Sequence, residues 1–209
     1  MSANHKNSKR KRVDDEEQQE LAAKLCAWDP RATTPSHSKQ SLPRACRDDK
    51  YEVVLRLINA GELDKTYEKG WTALMLACGN GHDRVALQLI KAGAKVDHTN
   101  EDGGSALMAA CCNGHDQCAL QLIEAGANLE KQTAKGFTAL MFACQNGHDR
   151  VALQLIEAGA NLEQQADKGS TALMLACQNG HDPCVLQLIE VGANLDKQTD
   201  RGSTALMLA

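Results

Sequence analysis

The sequence contains few aromatic residues: two Trp, two Tyr and two Phe among 209 residues. A large globular core normally fills much of its volume with aromatic rings, so a bulky core around one pocket is not expected here. Ala, Leu, Gly and Cys supply most of the small and apolar side chains instead. This composition favours thin helices that pack closely in a row.

Long apolar runs and a dominant sign of charge are absent as well. No run approaches the roughly 20 apolar residues that cross a bilayer, and the first residues are charged where a secretory signal would be apolar. Residues 70–201 carry nine Lys and Arg against fifteen Asp and Glu, which argues against nucleic-acid binding. We therefore expect a soluble cytoplasmic or nuclear protein with no membrane and no nucleic-acid partner.

One phrase, Gly-x-Thr-Ala-Leu-Met, recurs at a constant interval, with Ser105 as the only replacement for its Thr. A unit of roughly 33 residues cannot bury its own apolar face, so its copies must stack side by side and share one continuous core. The period therefore predicts a solenoid. The phrase begins at Gly70, Gly103, Gly136, Gly169 and Gly202.

The same period divides the chain. We expect a disordered arm and linker over residues 1–40, with a short helix at 16–28, and a repeat domain over 41–209. In chain order, the repeats are a polar cap repeat (41–69), four full repeats that we name R1 (70–102), R2 (103–135), R3 (136–168) and R4 (169–201), and a partial repeat (202–209).

Each full repeat contains the end signals of two helices, as R3 shows. Thr138 can cap the first helix, helix A, which is predicted from Ala139 to Gln145, and Gly147 suits the left-handed conformation that ends it. Asp149 is expected to accept hydrogen bonds from the first N–H groups of the second helix, helix B. Gly159 is expected to end helix B.

These residues resemble the ankyrin repeat, whose unit reads Gly-x-Thr-Pro-Leu-His-x-Ala, then Gly-His, an apolar helix and Gly-Ala. The matching residues of R3 are Thr138 to Ala143, Gly147-His148, Val151 to Ile156 and Gly159-Ala160. The resemblance covers residues 41–209 and implies an all-α ankyrin-repeat solenoid of helix-turn-helix units joined by finger loops. It also implies a non-enzymatic scaffold or adaptor that binds a polypeptide partner in its concave groove.

Two departures from the family pattern affect packing. Met replaces a His whose hydrogen bonds tie neighbouring segments in the family, so thioether packing must substitute for those bonds. In helix B, Leu precedes Gln where the family has the opposite order. Either small rotations bury the Leu partly and let the Gln reach backbone carbonyls, or the Leu column forms an apolar outer stripe that binds a partner or self-associates. The residues concerned are Met75, Met108, Met141, Met174 and Met207, and Leu87-Gln88, Leu120-Gln121, Leu153-Gln154 and Leu186-Gln187.

Cys and His also recur together, as Cys-x-x-x-His. No repeat supplies four ligands that converge on one point, so we interpret each pair as a buried thiol and a turn-stabilising imidazole rather than a zinc site. Equivalent cysteines lie about one helix spacing apart, too far for a disulfide, and we expect reduced thiols. No nucleophile has a paired base, so we expect no catalysis and no cofactor. The pairs are Cys78/His82, Cys111/His115, Cys144/His148 and Cys177/His181.

Positions that differ between nearly identical repeats are the best guide to binding, because packing fixes the others. The resemblance places the residue after the opening Gly, the two residues before it and the end of helix A along the concave groove. Trp71 and Phe137 are expected at exposed finger tips as binding aromatics, with packing against a neighbouring finger as the alternative. The other predicted partner-binding residues are Glu68, Lys69, Glu101, Asp102, Lys135, Gln145, Asn146, Asp167, Lys168, Gln178, Asn179, Asp200 and Arg201.

The two ends of the chain suggest further roles. Lys9, Arg10, Lys11 and Arg12 form a basic cluster that is a nuclear-import candidate, with a merely solvated tail as the alternative because an acidic run follows. The partial repeat has an apolar helix A without a polar cap, so self-association through this uncapped repeat is possible. Alternatively, the chain is the ankyrin-repeat portion of a larger regulatory protein, such as a kinase or ubiquitin-ligase adaptor.

Overall fold

The computed structural model describes Asp49, residues 51–59 and residues 63–209. The chain divides into two units, 1–34 and 35–209, and every described residue belongs to the second. The predicted arm, its helix at 16–28, the linker and helix A of the cap repeat therefore lie outside the described residues.

The described helices occur in pairs that repeat with the period of the sequence. Helix α1 (Tyr51–Asn59) precedes a short 3-10 helix (Glu68–Gly70). The full repeats then contain α2 (Ala73–Gly79) and α3 (Asp83–Lys91) in R1, α4 (Ala106–Asn113) and α5 (Asp116–Glu124) in R2, α6 (Ala139–Gln145) and α7 (Asp149–Glu157) in R3, and α8 (Ala172–Gln178) and α9 (Asp182–Glu190) in R4. Helix α10 (Ala205–Leu208) follows.

The helices of neighbouring repeats pack like with like. Each helix A lies against the helix A of the next repeat and against its own helix B, and each helix B lies against the next helix B. The result is two helical layers that share one core. This arrangement confirms the expected all-α solenoid.

Local capping follows most of the sequence signals. The backbone N–H of Met141 donates to Thr138 Oγ1 at 3.4 Å, as predicted for the cap of helix A. Gly159 has φ 85°, and Ala160 N–H donates to the Leu155 carbonyl at 3.0 Å, which closes helix B with a left-handed C-terminal turn. The N-cap of helix B is His148, whose side chain makes no capping bond. The predicted bond to the recurring Asp is present in R2, where Gln117 N–H donates to Asp116 Oδ1 at 2.9 Å. Asp149 is instead the first helical residue, where its charge faces the positive helix end.

The interior of the stack is formed mainly by helix A. In R3, all seven residues of α6 are buried, whereas α7 buries only Val151, Ala152 and Leu155. The Met that replaces the family's His is fully buried in each of the four full repeats. Thioether packing therefore occupies the place of the missing imidazole, as expected. These residues are Met75, Met108, Met141 and Met174.

The His at the N-cap of helix B links R2, R3 and R4 each to the repeat before it. His148 Nε2 lies 3.0 Å from the Cys112 carbonyl at the end of the preceding helix A, and because a carbonyl only accepts, Nε2 carries the donated proton. His115 makes the same bond to Gly79 at 3.2 Å, and His181 to Gln145 at 3.0 Å. We call this series the histidine ladder. It sets the register of neighbouring repeats with one polar bond each.

At the turn that follows helix A, the ladder histidine of the next repeat leaves no room for a side chain on the turn glycine. Gly147 has φ 71°, and a Cβ added there would lie 2.6 Å from His181 Nδ1, whereas Gly180 has φ 69° and nothing within 4 Å of an added Cβ. We expect Gly180→Ala to cost about 1 to 2 kcal/mol of stability from backbone strain alone. Gly147→Ala should cost about 1 to 3 kcal/mol more, since the ring must also move. Urea unfolding of the two variants measures the difference, and equal losses would contradict the packing argument.

The ladder also predicts a pH dependence. Burial lowers the pKa of His115 below its ordinary value, and the nearby His148 and His82 lower it further. The unfolded chain therefore takes up a proton near pH 6.5 that the folded chain binds only at lower pH. This group should leave stability unchanged above about pH 7.5 and should lower it as the pH falls through 6.5.

Unfolding free energies at pH 8 and pH 5.5 test this dependence. The variant His115→Gln keeps an N–H donor for the Gly79 carbonyl but does not titrate. The wild-type chain should lose more stability between the two pH values than the variant does. Identical losses would show that His115 does not contribute to the acid sensitivity.

Candidate functional site: the finger edge

The loops between repeats form short hairpins, the fingers. In the finger that joins R2 to R3, Thr133 N–H donates to the Phe137 carbonyl at 3.0 Å and Gly136 N–H donates to the Thr133 carbonyl at 2.9 Å. Phe137 N–H in turn donates to Thr133 Oγ1 at 3.1 Å. Gly136 has φ 76°, a conformation that glycine adopts without strain. The turn is thus held by backbone groups, by the Thr133 hydroxyl and by the Gln132 amide, whose Nε2 donates to the Gly136 carbonyl at 3.0 Å.

Neighbouring fingers are joined to each other by backbone hydrogen bonds. Each bond runs from the N–H of the second residue before the opening Gly to a carbonyl of the preceding finger, and each is 3.0 Å long. Because no side chain takes part, the fold does not dictate which side chains occupy the tips. The pairs are Glu101 to Lys69, Ala134 to Asp102, Asp167 to Lys135 and Asp200 to Lys168.

The tips carry a definite order of charge. We define the finger edge as the pair of residues before each opening Gly: 68–69, 101–102, 134–135, 167–168 and 200–201. Its described side chains are exposed, and the side chain of Glu68 lies outside the description. An acidic tip, Glu101 with Asp102, stands between tips that carry Lys69 and Lys135. The first tip and the last two tips each pair an acid with a base in sequence: Glu68 with Lys69, Asp167 with Lys168 and Asp200 with Arg201.

The two aromatic residues at the start of the repeats are not on this edge. Trp71 is 4% exposed and Phe137 is 1% exposed, so the expectation that they form exposed binding tips was wrong. The ring of Phe137 packs against Phe142, with centroids 5.3 Å apart. R2 carries Gly104 and Ala109 at the equivalent positions, and such small residues leave volume beside a larger neighbour. Phe137 therefore packs inward on helix A of its own repeat, whereas the alternative had named a neighbouring finger.

The residues at the end of helix A that were expected to line the groove make hydrogen bonds within the fold or are buried in it. Asn146 Nδ2 donates to the Phe142 carbonyl at 3.0 Å, and Asn179 Nδ2 donates to the Leu175 carbonyl at 2.8 Å, so both amides satisfy the end of their helix. Gln145 is buried, with its Oε1 unpartnered, and Gln178 is half-buried. We therefore leave these four residues out of the proposed binding surface.

The outer face of helix B becomes more apolar along the array. Leu87 and Leu120 are half-buried, as the rotation alternative expects, but Leu153 is 40% exposed and Leu186 is 59% exposed. In α10, Leu206 is 85% exposed. A Leu column is thus exposed in R3 and R4, and self-association through it or through the partial repeat stays a prediction.

The oxidation state of one cysteine differs from the expectation. Cys112 is disulfide-bonded, although reduced thiols were expected throughout. The other cysteines in the described segments are free, and burial raises the pKa of the Cys111 thiol far above its ordinary value. Across these same segments, no group of three or more His, Cys, Asp and Glu side chains is arranged to hold a metal ion.

The remaining sequence-based candidates are not placed by the structure. The nuclear-import candidate Lys9 to Arg12 lies outside the described residues and stays a prediction. Among the described helices, none has both the length and the apolar character needed to cross a membrane.

Replacing Phe137 distinguishes a packing role from a binding role. We expect Phe137→Ala to lower the free energy of unfolding by about 3 to 5 kcal/mol, because the buried ring loses its contacts and leaves a cavity. Lys135→Ala, just before it on the exposed tip, should change it by less than about 0.5 kcal/mol. Denaturant titrations of both variants supply the comparison. A Phe137→Ala chain as stable as the wild type would restore the aromatic to the list of candidate binding residues.

Comparison with known proteins agrees with the helix pairs and fingers. A family model described as ankyrin repeats, three copies, matches the chain over residues 24–100, 42–133, 84–166 and 140–209. No individual curated protein matches the chain. The overlapping matches extend across far more than half of the sequence, and the chain belongs to the ankyrin repeat family.

Proposed function

We propose that the chain is a non-enzymatic scaffold or adaptor that binds a polypeptide partner along the finger edge of its concave groove. Ankyrin repeats are a general protein-protein interaction module. The finger edge is an exposed surface whose side chains differ from repeat to repeat while its backbone hydrogen bonds stay the same. Variation on a constant frame is how repeat proteins acquire individual partners.

The observation that carries this proposal is the order of charge on tips of fixed spacing. Backbone bonds of 3.0 Å hold neighbouring tips at a fixed spacing, so the charged residues follow one another at regular intervals. A partner that complements the first three tips presents a basic side chain toward Glu101 and Asp102, with acidic side chains on either side for Lys69 and Lys135. Such order favours one partner and one register over others.

Two of the free thiols, Cys111 and Cys177, are not suited to covalent catalysis. A reactive cysteine needs a lowered pKa together with access to substrate. Cys111 is fully buried with a raised pKa, and the pKa of the half-buried Cys177 is raised as well, first by burial and then by Asp182. Neither thiol has the properties of a nucleophile.

A charge exchange between two equivalent tips tests the proposal. The double variant Asp102→Lys with Lys135→Glu exchanges the charges of two exposed positions that are equivalent in R1 and R2, and it leaves the net charge unchanged. If the order of charge selects the partner, affinity should fall about tenfold or more, with most of the loss at low salt.

A matched control makes the same exchange away from the fingers. Lys91→Glu with Glu124→Lys alters exposed residues of α3 and α5 that are likewise equivalent in R1 and R2. Partners captured by the wild-type chain should be kept by this control and lost by the finger variant, and titration of a purified partner gives the affinity ratio. Equal capture by both variants would exclude the finger edge as the binding surface.

A further inference from the structure

Each full repeat has the dipeptide Asn-Gly at the end of helix A. Asn followed by Gly is prone to deamidation, because glycine has no side chain to hinder attack of its backbone nitrogen on the Asn side chain. All four copies continue with the same two residues, His and Asp. Differences in reactivity between the copies must therefore come from the fold. The dipeptides are Asn80-Gly81, Asn113-Gly114, Asn146-Gly147 and Asn179-Gly180.

The turn holds the two reacting groups apart. Deamidation requires the glycine nitrogen to approach Cγ of the Asn, so that a succinimide ring can close. The ψ angle is 2° at Asn80, 3° at Asn146 and 1° at Asn179. At such angles the glycine nitrogen eclipses the backbone nitrogen of the Asn and lies away from its Cβ, so the ring cannot close. The reaction therefore requires local opening of the turn.

The side-chain amide of each Asn is also held. Its Nδ2 donates to the carbonyl of the residue four positions earlier, at distances from 2.7 to 3.0 Å. Because all four amides make this bond, it does not distinguish one site from another. The acceptors are the carbonyls of Leu76, Ala109, Phe142 and Leu175.

The histidine ladder restrains the turns of R1, R2 and R3 in addition. In R3, the Gln145 carbonyl just before Asn146 accepts a hydrogen bond from His181 Nε2 at 3.0 Å. The same ring covers Gly147 just after Asn146, since an added Cβ there would lie 2.6 Å from His181 Nδ1. The ring thus holds the chain on both sides of the reacting Asn. His115 and His148 make the equivalent contacts with the turns of R1 and R2.

The turn of R4 differs from the other three at its glycine. Gly180 has nothing within 4 Å of an added Cβ, and it is the exposed member of the four turn glycines. Residues 178–182 nevertheless have the same sequence as residues 145–149, Gln-Asn-Gly-His-Asp. The turn of R4 can therefore open without displacing a ring from its glycine, whereas the identical turn of R3 cannot.

We propose that Asn179 is a site of spontaneous deamidation, and that the histidine ladder protects the equivalent Asn of the other three full repeats. Gly180 supplies the attacking nitrogen, and water is the second reactant. The exposure of Gly180 gives water access to the turn.

The reaction proceeds in two steps. The Gly180 nitrogen gives its proton to hydroxide and attacks Asn179 Cγ. The new N–Cγ bond replaces the Cγ–Nδ2 bond, and Nδ2 takes up a proton from water and leaves as ammonia. Water then opens the succinimide, either at Cγ, which gives aspartate, or at the backbone carbonyl carbon of Asn179, which gives isoaspartate. Each product consumes one water and releases one ammonia, with no change of oxidation state.

Either product weakens the end of α8. A carboxylate cannot donate a hydrogen bond to the Leu175 carbonyl, and its negative charge lies at the negative end of the helix. Isoaspartate also adds a carbon to the backbone just before Gly180. The modification therefore loosens the turn between α8 and α9.

The test uses the full chain, incubated at mildly alkaline pH and digested at intervals. Mass spectrometry of the peptides measures aspartate and isoaspartate at each of the four Asn positions. In the folded chain, Asn179 should react about tenfold or more faster than Asn146. In urea the two rates should be equal, because the flanking sequences are identical. Equal rates in the folded chain would overturn the proposal, and so would an unmodified Asn179 after an incubation that deamidates both positions in urea.

His148→Ala tests protection by the ladder in the middle of the array. The variant uncovers Gly114 and leaves the residues next to Asn113 unchanged, so deamidation of Asn113 should become about tenfold faster. Asn80 is the matched control in the same molecule, because His115 still covers its turn, and it should keep the wild-type rate. An unchanged rate at Asn113, or an equal increase at Asn80, would show that the ring gives no local protection and would overturn that part of the proposal.

Discussion

Burial of helix A by its neighbours is the constraint on which the rest of this structure depends. Each short repeat provides a helix that is apolar on all sides, and only the repeats before and after it can cover that surface. The side chains of helix A must therefore fit two neighbours at once. This requirement explains why Met141 and its equivalents are fully buried and why the phrase that contains them changes so little.

Packing between repeats fixes distance, and polar bonds fix register. Apolar contacts tolerate small sliding movements, whereas the bond from His148 to the Cys112 carbonyl and the bond from Asp167 N–H to the Lys135 carbonyl do not. One bond lies at the turn between helices and the other at the finger, so together they hold each repeat at two separated points. The finger tips gain their fixed spacing from this arrangement, without any requirement on their own side chains.

Sequence signals that act within one repeat predicted the structure well. The Thr138 cap and the Gly159 turn depend on residues a few positions away, and the period showed that they recur. Features that depend on contacts between repeats were predicted less well from the sequence. Phe137 was predicted to be an exposed tip, but its ring is buried against Phe142. This burial also depends on the volume that neighbouring repeats leave free, and the sequence of a single repeat does not show that volume. Asp149 is the first helical residue rather than the cap, because His148 occupies the cap position and bonds to the preceding repeat.

Residues therefore differ between the repeats for two physical reasons. The position of a residue in the sequence does not show which of the two reasons applies to it. Gly104, Phe137 and Ser170 vary because neighbouring repeats must share volume, and all three are buried. Asp102 and Lys135 also vary, but their backbone groups make the bonds and their side chains remain in solvent. Substitution at the first kind of position changes stability before it changes binding, whereas substitution at the second kind can change binding at nearly constant stability. The side chains of the finger edge can accordingly change without a new fold, because the groups that determine its geometry belong to the backbone.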